Sequence, residues 1–171
     1  IEHGRARGAV EQPEWRLARG RRPGPLRIFC PANWNLQKGS GLVAELIERT
    51  SPLVEWHLAG RASGSVHERA ISHDVYLQSA LGDLVKEIDP DVFGIFSIAP
   101  ETYSQTLSES WGLGLPAVGT DLGAVADRIR EHGGGVLVPA DDPERAAEVI
   151  IGLARKILRG EQLGLPTPGP K

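Results

Sequence analysis

Three short stretches of this chain hold residue types that could do chemistry together. In "PANWNLQKGSG", Lys38 adds a full positive charge between flexible positions, and Gly39 and Gly41 allow backbone to come close to a ligand. In "APETYSQTLSESWG", Glu101 precedes Thr102, Tyr103 and Ser104, whose amides open a helix with a positive end that favours an anion. Glu109 follows inside that helix, about 160° round from each of Leu107 and Trp111, off the apolar face that those two define. A cation beside helix amides suits a diphosphate, and a carboxylate at Glu109 could accept two hydrogen bonds from vicinal hydroxyls such as ribose O2 and O3. The plainer readings are a solvated lysine at a turn and an exposed helix charge. The chain holds fourteen Glu, so about one pair at a separation of eight arises by chance; placement in the fold has to decide.

The elements that must position these residues alternate. "LRIFCP", "VEWHLAG", "DPDVFGIFS", "PAVGTD" and "GGVLVP" read as strands, and "SGLVAELIERT", "SALGDLVKEI", the stretch after Ser104, "LGAVADRIREHG" and "DPERAAEVIIGLARKIL" read as helices. Gly133 marks a helix end, Asp142 a cap and Pro143 a first turn. Residues 61–75 show no clear period. Nearly all-apolar strands separated by helices imply a parallel sheet covered on both faces, an α/β doubly wound, Rossmann-like domain. Such sheets bind ligands beyond the carboxyl ends of their strands, which puts Lys38 and Glu101 at one rim. We expect a hinge or linker over residues 1–24, the domain over 25–160 and a flexible tail over 161–171.

Composition removes several classes. Runs such as "VFGIF" are strand-sized, far below the roughly 20 residues needed to cross a bilayer, and no secretory signal is visible. A formal charge of −3 gives no attraction to polyanions, and "RLARGRRPGP" mixes Arg with Gly and Pro without aromatics, so no nucleic acid partner is expected. The single Cys30 suits the cytoplasm and lies in an apolar strand pattern, a poor place for a nucleophile. His57 reads as a satisfied core residue and His132 as a partner of a helix dipole; no histidine stands at metal-ligand spacing, so no metal is expected. Of the tryptophans, Trp34 alone lies in the ligand-side loop, where it could stack on a nucleobase. The lack of any Met leads us to expect a fragment with a further domain upstream.

The stretch from Pro100 to Ile150, with Glu101, Tyr103 and Ser104, Glu109, Gly114 to Val118 and Asp121 to Gly123, resembles the carboxy-terminal domain of retaining GT-B glycosyltransferases. The group concerned is the group-one type, family four, which includes many polysaccharide mannosyl- and rhamnosyltransferases. "NLQKGSG" is similar to its Lys-Gly loop, "WHLAG" to its second strand and, weakly, "IEHGR" to its interdomain hinge. The resemblance covers roughly Leu26 to Ile151. It implies the second half of a two-domain fold, a nucleoside diphosphate sugar as donor without cofactor or metal, a glycan acceptor, a missing N-terminal domain and peripheral association with the cell membrane. It implies roles as well: Lys38 and Gly39 at the donor diphosphate, Glu109 on the ribose, Glu101 as the catalytic carboxylate facing the transferred sugar, and the Tyr103 and Ser104 amides on the leaving phosphate or sugar hydroxyls. The sequence departs from the family twice. Ala32 and Asn33 occupy the region where a basic residue often stands, and Ser104 replaces the more usual Gly. The alternative in another class is a catalytically degenerate binding or assembly module of a larger synthase. A dinucleotide-dependent dehydrogenase would need a glycine fingerprint after the first strand, which is absent.

Overall fold

The computed structural model describes residues 21–167. Of the linker expected over 1–24, residues 1–20, with "IEHGR", His3, Trp15 and the start of the basic stretch, lie outside the described residues, as do 168–171. The strands are β1 (Leu26–Pro31), β2 (Val54–Ala59), β3 (Ile71–His73), β4 (Val92–Ile95), β5 (Ala117–Thr120) and β6 (Gly135–Val138). The helices are α1 (Ser40–Thr50), α2 (Leu81–Ile88), α3 (Gln105–Gly112), α4 (Gly123–His132) and α5 (Pro143–Leu158).

The six strands are ordered β3-β2-β1-β4-β5-β6, and every pairing is parallel. β1 and β2 run in register from Leu26 opposite Val54 to Pro31 opposite Ala59. Successive strand residues point to opposite faces, so a sheet covered twice needs apolar residues at both parities. Ile28 and Cys30 pack with Val43, Leu46 and Trp56 under α1 and α5. Phe29 and Phe93 meet edge to face at 5.1 Å on the other side, with Val85, Leu107 and Ile129 of α2, α3 and α4. Each such side chain contributes about 1.5–3 kcal/mol on burial. This is the doubly wound α/β fold, and its order reverses between β1 and β4, the switch point where a crevice opens.

Local signals hold where they are strong. Asp142 Oδ1 accepts the Arg145 amide at 3.0 Å with Pro143 in the first turn of α5, and Gly133 ends α4 at φ +72. In residues 61–75 the structure has a 3-10 turn, Ser63–Ser65, and the edge strand β3. At the amino edge the buried Asp91 carboxylate accepts Arg21 Nε at 3.0 Å, Arg22 Nη2 at 3.1 Å and the Arg27 amide at 2.8 Å, fastening the chain entering β1 to β4. Burial pushes the Arg22 guanidinium down to about 10, its neighbours Arg27 and Arg21 acting the same way against Asp91. The Cys30 thiol is buried, which pushes it well above its usual range and leaves it a core hydrophobe. Within the final stretch, Thr167 donates from its amide to the His132 carbonyl at 2.8 Å. Among the described residues no helix is long and apolar enough to cross a membrane.

Candidate functional site

The loops leaving β1, β4 and β5 are fastened to one another at the carboxyl rim. Asn35 Oδ1 accepts the Lys38 amide at 2.9 Å, turning the β1 loop back towards α1. Gly39 caps α1 at φ +85, and a Cβ on it would stand 1.9 Å from the Phe96 carbonyl oxygen, so only glycine lets this loop lie against the exit of β4. The Gln37 carbonyl then accepts the Ile98 amide at 2.9 Å and Ser97 Oγ at 3.1 Å. Thr120 Oγ1 donates to the Ser97 carbonyl at 2.5 Å, bringing in the end of β5.

On that frame Lys38 and Glu101 meet across the switch point. Lys38 Nζ lies 2.5 Å from Glu101 Oε1, with 42% and 23% of the two side chains exposed. The Glu101 backbone is held as well, since its carbonyl accepts the Ala124 amide of α4 at 2.9 Å. Lys38 is therefore not a lysine simply solvated at a turn. It is an accessible cation facing a carboxylate in the crevice that the fold leaves for ligands.

The turn into α3 is unusual. Ser104 has φ +73 and ψ 89, and its Oγ accepts the Leu107 amide at 3.3 Å as a helix cap. A glycine adopts that backbone without strain, whereas a serine must be held there. Arg128 of α4 does this: Nη1 donates to the Tyr103 and Ser104 carbonyls at 3.3 and 3.0 Å. Tyr103 Oη and Ser108 Oγ are 3.0 Å apart.

Glu109 is buried, at 8% exposure, and not the exposed helix charge that periodicity left open. Its Oε1 accepts Gln78 Nε2 at 2.7 Å from the loop after β3. Burial, then the Glu109 charge, pushes the neighbouring Tyr76 phenol up. The structure thus joins Lys38, Gly39 and Glu101 directly and ties Tyr103 to Ser104 through Arg128, while Glu109 is held by a separate contact.

Of the two readings of Trp34, packing and stacking on a nucleobase, the structure takes packing. Trp34 offers no face to a base: it is 9% exposed, belongs to the core under α1 and α5, and donates Nε1 to the Ala59 carbonyl at 3.1 Å. His57 is a satisfied buried residue, 2.6 Å from Glu55 Oε1 and 2.8 Å from His73 Nε2. Gln78 and Arg128 were not found from the sequence. Gln78 falls in a loop remote from its partner, and the pattern "DRIREH" does not separate Arg128 from Arg130. Among the described residues no group of three or more His, Cys, Asp or Glu could hold a metal ion.

The family model described as glycosyl transferases group 1 matches residues 27–156. No curated protein sequence matches the chain. Among solved structures, Anabaena Alr3699/HepE in complex with UDP superposes with a TM-score of 0.66 at 15% identity, covering 78% of this chain and 40% of that one. WaaG, a glycosyltransferase involved in lipopolysaccharide biosynthesis, gives 0.66 at 16% identity, over 90% of this chain and 46% of that one. The apo lipopolysaccharide outer core galactosyltransferase WaaB gives 0.62 at 20%, over 88% and 43%. The chain spans less than half the length of each of these three structures.

Proposed function

The chain belongs to the group 1 glycosyl transferases, and from that premise we propose that it is the nucleotide-sugar-binding half of a retaining glycosyltransferase. That enzyme moves a hexosyl group from a nucleoside diphosphate sugar to a polysaccharide or glycan acceptor. The observation that carries the reading is the Lys38–Glu101 pair at the switch point, bounded by the starts of α3 and α4.

A diphosphate entering the crevice takes Lys38 from Glu101. The released carboxylate turns to the hydroxyls of the sugar, and Glu109 accepts those of the ribose. As the bond to the sugar breaks, charge grows on the departing phosphate. Lys38 and the Tyr103 and Ser104 amides meet it without a metal, in keeping with fixed donors aimed at developing charge. The solved complexes of Alr3699/HepE with UDP and with UDP-glucose support a donor of this class. The acceptor, an upstream domain across the cleft, a cytoplasmic location and contact with the membrane surface belong to the same reading. So does a mannosyl- or rhamnosyl-type donor for a surface polysaccharide.

Calorimetry of the chain with UDP, GDP and dTDP tests it. We expect one of the three to bind, with Lys38→Ala weakening it about tenfold or more through loss of a charge-assisted contact. Binding of none would remove the reading. The degenerate-module alternative draws on Ala32 and Asn33 in the β1 loop. It would gain if Glu109→Ala left nucleotide affinity unchanged in the full-length protein.

A further inference from the structure

We propose that Arg128 is a positioning residue for the donor diphosphate, fixing from α4 the Tyr103–Ser104 turn and with it the first amides of α3. The inference rests on the donor-binding reading above and adds to it a residue whose own side chain need not touch the ligand.

Ser104 is 6% exposed and holds a left-handed backbone, φ +73. A capping serine ordinarily has an extended backbone, so its cap bond to Leu107 does not account for this conformation. Something outside the turn must hold it. Arg128 Nη1 donates to two successive carbonyls, Tyr103 at 3.3 Å and Ser104 at 3.0 Å, while Nη2 donates to Ser108 Oγ at 2.9 Å. The guanidinium carbon lies 4.8 Å from the Tyr103 ring centroid and 5.1 Å from that of Trp111, so two aromatic rings fix the donor itself.

The consequence follows from the trans peptide. Within each planar unit the carbonyl and the next amide point in opposite directions. With the Tyr103 and Ser104 carbonyls turned to Arg128, the Ser104 and Gln105 N–H bonds are aimed away from it. These are among the first donors of α3, at the positive end of the helix. A side chain that forks across two carbonyls and stacks on rings cannot be replaced by a lysine point charge.

The test uses the full chain with UDP, GDP and dTDP, each beside its nucleoside, and the variants Arg128→Gln, Arg128→Lys, Ser104→Gly and the two Arg128 substitutions combined with Ser104→Gly. We expect either Arg128 variant to weaken the diphosphate that binds about tenfold, as loss of hydrogen bonds from a charged group would, with nucleoside affinity unchanged. Adding Ser104→Gly should restore most of the loss, because glycine takes the turn's backbone unaided. Should Arg128→Gln not fold, as judged by circular dichroism, Arg128→Lys with and without Ser104→Gly carries the same comparison. Wild-type diphosphate affinity in the Arg128 variants, an equal loss for the nucleoside, or no rescue by glycine would overturn the inference alone. A wild-type chain that binds none of the three diphosphates would remove the donor-binding reading and this inference with it.

Discussion

Lys38 Nζ lies 2.5 Å from Glu101 Oε1, and the pair spans the loops leaving β1 and β4 while both side chains keep access to water. Ion pairs with that much exposure contribute only about 0–1 kcal/mol. The contact is therefore easily exchanged, which is what the proposed entry of a phosphate would require of it.

Glu101→Gln should tighten the nucleoside diphosphate that binds several-fold, since the substitution frees Lys38 and removes a repelling charge. Stability by urea denaturation should change by less than about 1 kcal/mol. Weaker diphosphate binding in this variant, measured by calorimetry, would show that Glu101 does not compete with phosphate.

Gly39 and Gly133 both have positive φ, +85 and +72, but differ in surroundings: an added Cβ meets the Phe96 carbonyl at 1.9 Å in the first and nothing within 4 Å in the second. Gly133→Ala should cost about 1–3 kcal/mol from backbone strain. Gly39→Ala should cost about 3 kcal/mol or more, because the β1 loop must lift from β4. Equal costs in urea melts would mean that the loop already moves freely.

Glu109, buried under Gln78, is the proposed ribose clamp. The chain should prefer the ribonucleoside diphosphate of its base over the 2′-deoxy analogue by about tenfold, the scale of a hydrogen bond to a charged group, and Glu109→Ala should abolish the preference. Persisting discrimination in the variant would assign the ribose to another residue.

His57 and His73 stack on β2 and β3, with nitrogens 2.8 Å apart, and Arg27, Glu55 and Glu87 complete the charged surroundings. Burial holds both imidazoles below the ordinary 6.5; for His57 the Glu55 hydrogen bond pulls the other way. A depressed histidine binds fewer protons folded than unfolded. Its contribution is therefore whole above about pH 6.5 and is lost as pH falls towards the folded value. Stability should drop between about pH 7.5 and about pH 5.5, and His57→Gln should flatten the drop. An unaltered slope would place the titration elsewhere.

Asp91 has 1% of its side chain exposed against Arg21 and Arg22. Asp91→Ala leaves partly buried cations without their acid and should cost about 3 kcal/mol. Chemical denaturation with a loss below about 1 kcal/mol would mean that water replaces the carboxylate at little cost.

What could be read from the sequence depended on how far each signal extends along the chain. β1 and α1 were delimited correctly because Leu26–Pro31 is apolar apart from Arg27 and Leu42, Val43, Leu46 and Ile47 repeat with the helical period. β3 was missed because three residues with an exposed Ile71 carry no period. Helical phase set Glu109 apart from the apolar face but could not show that the β3 exit loop covers it, since that contact joins residues 31 apart. Trp34 was left between packing and base stacking for a related reason: position in a ligand-side loop does not fix side-chain direction, and its indole turns inward to Ala59. Lys38 and Glu101, 63 residues apart, became neighbours only through the strand order.

The Gln37 carbonyl shared by Ile98 and Ser97, with Thr120 bonded behind it, leaves the three rim loops little independent motion. Under the donor-binding proposal an incoming nucleotide would meet a mouth already in shape, with little of its binding free energy consumed in ordering chain. Chemical modifications of the donor should consequently register as local, additive changes in affinity, each traceable to the atom that was altered.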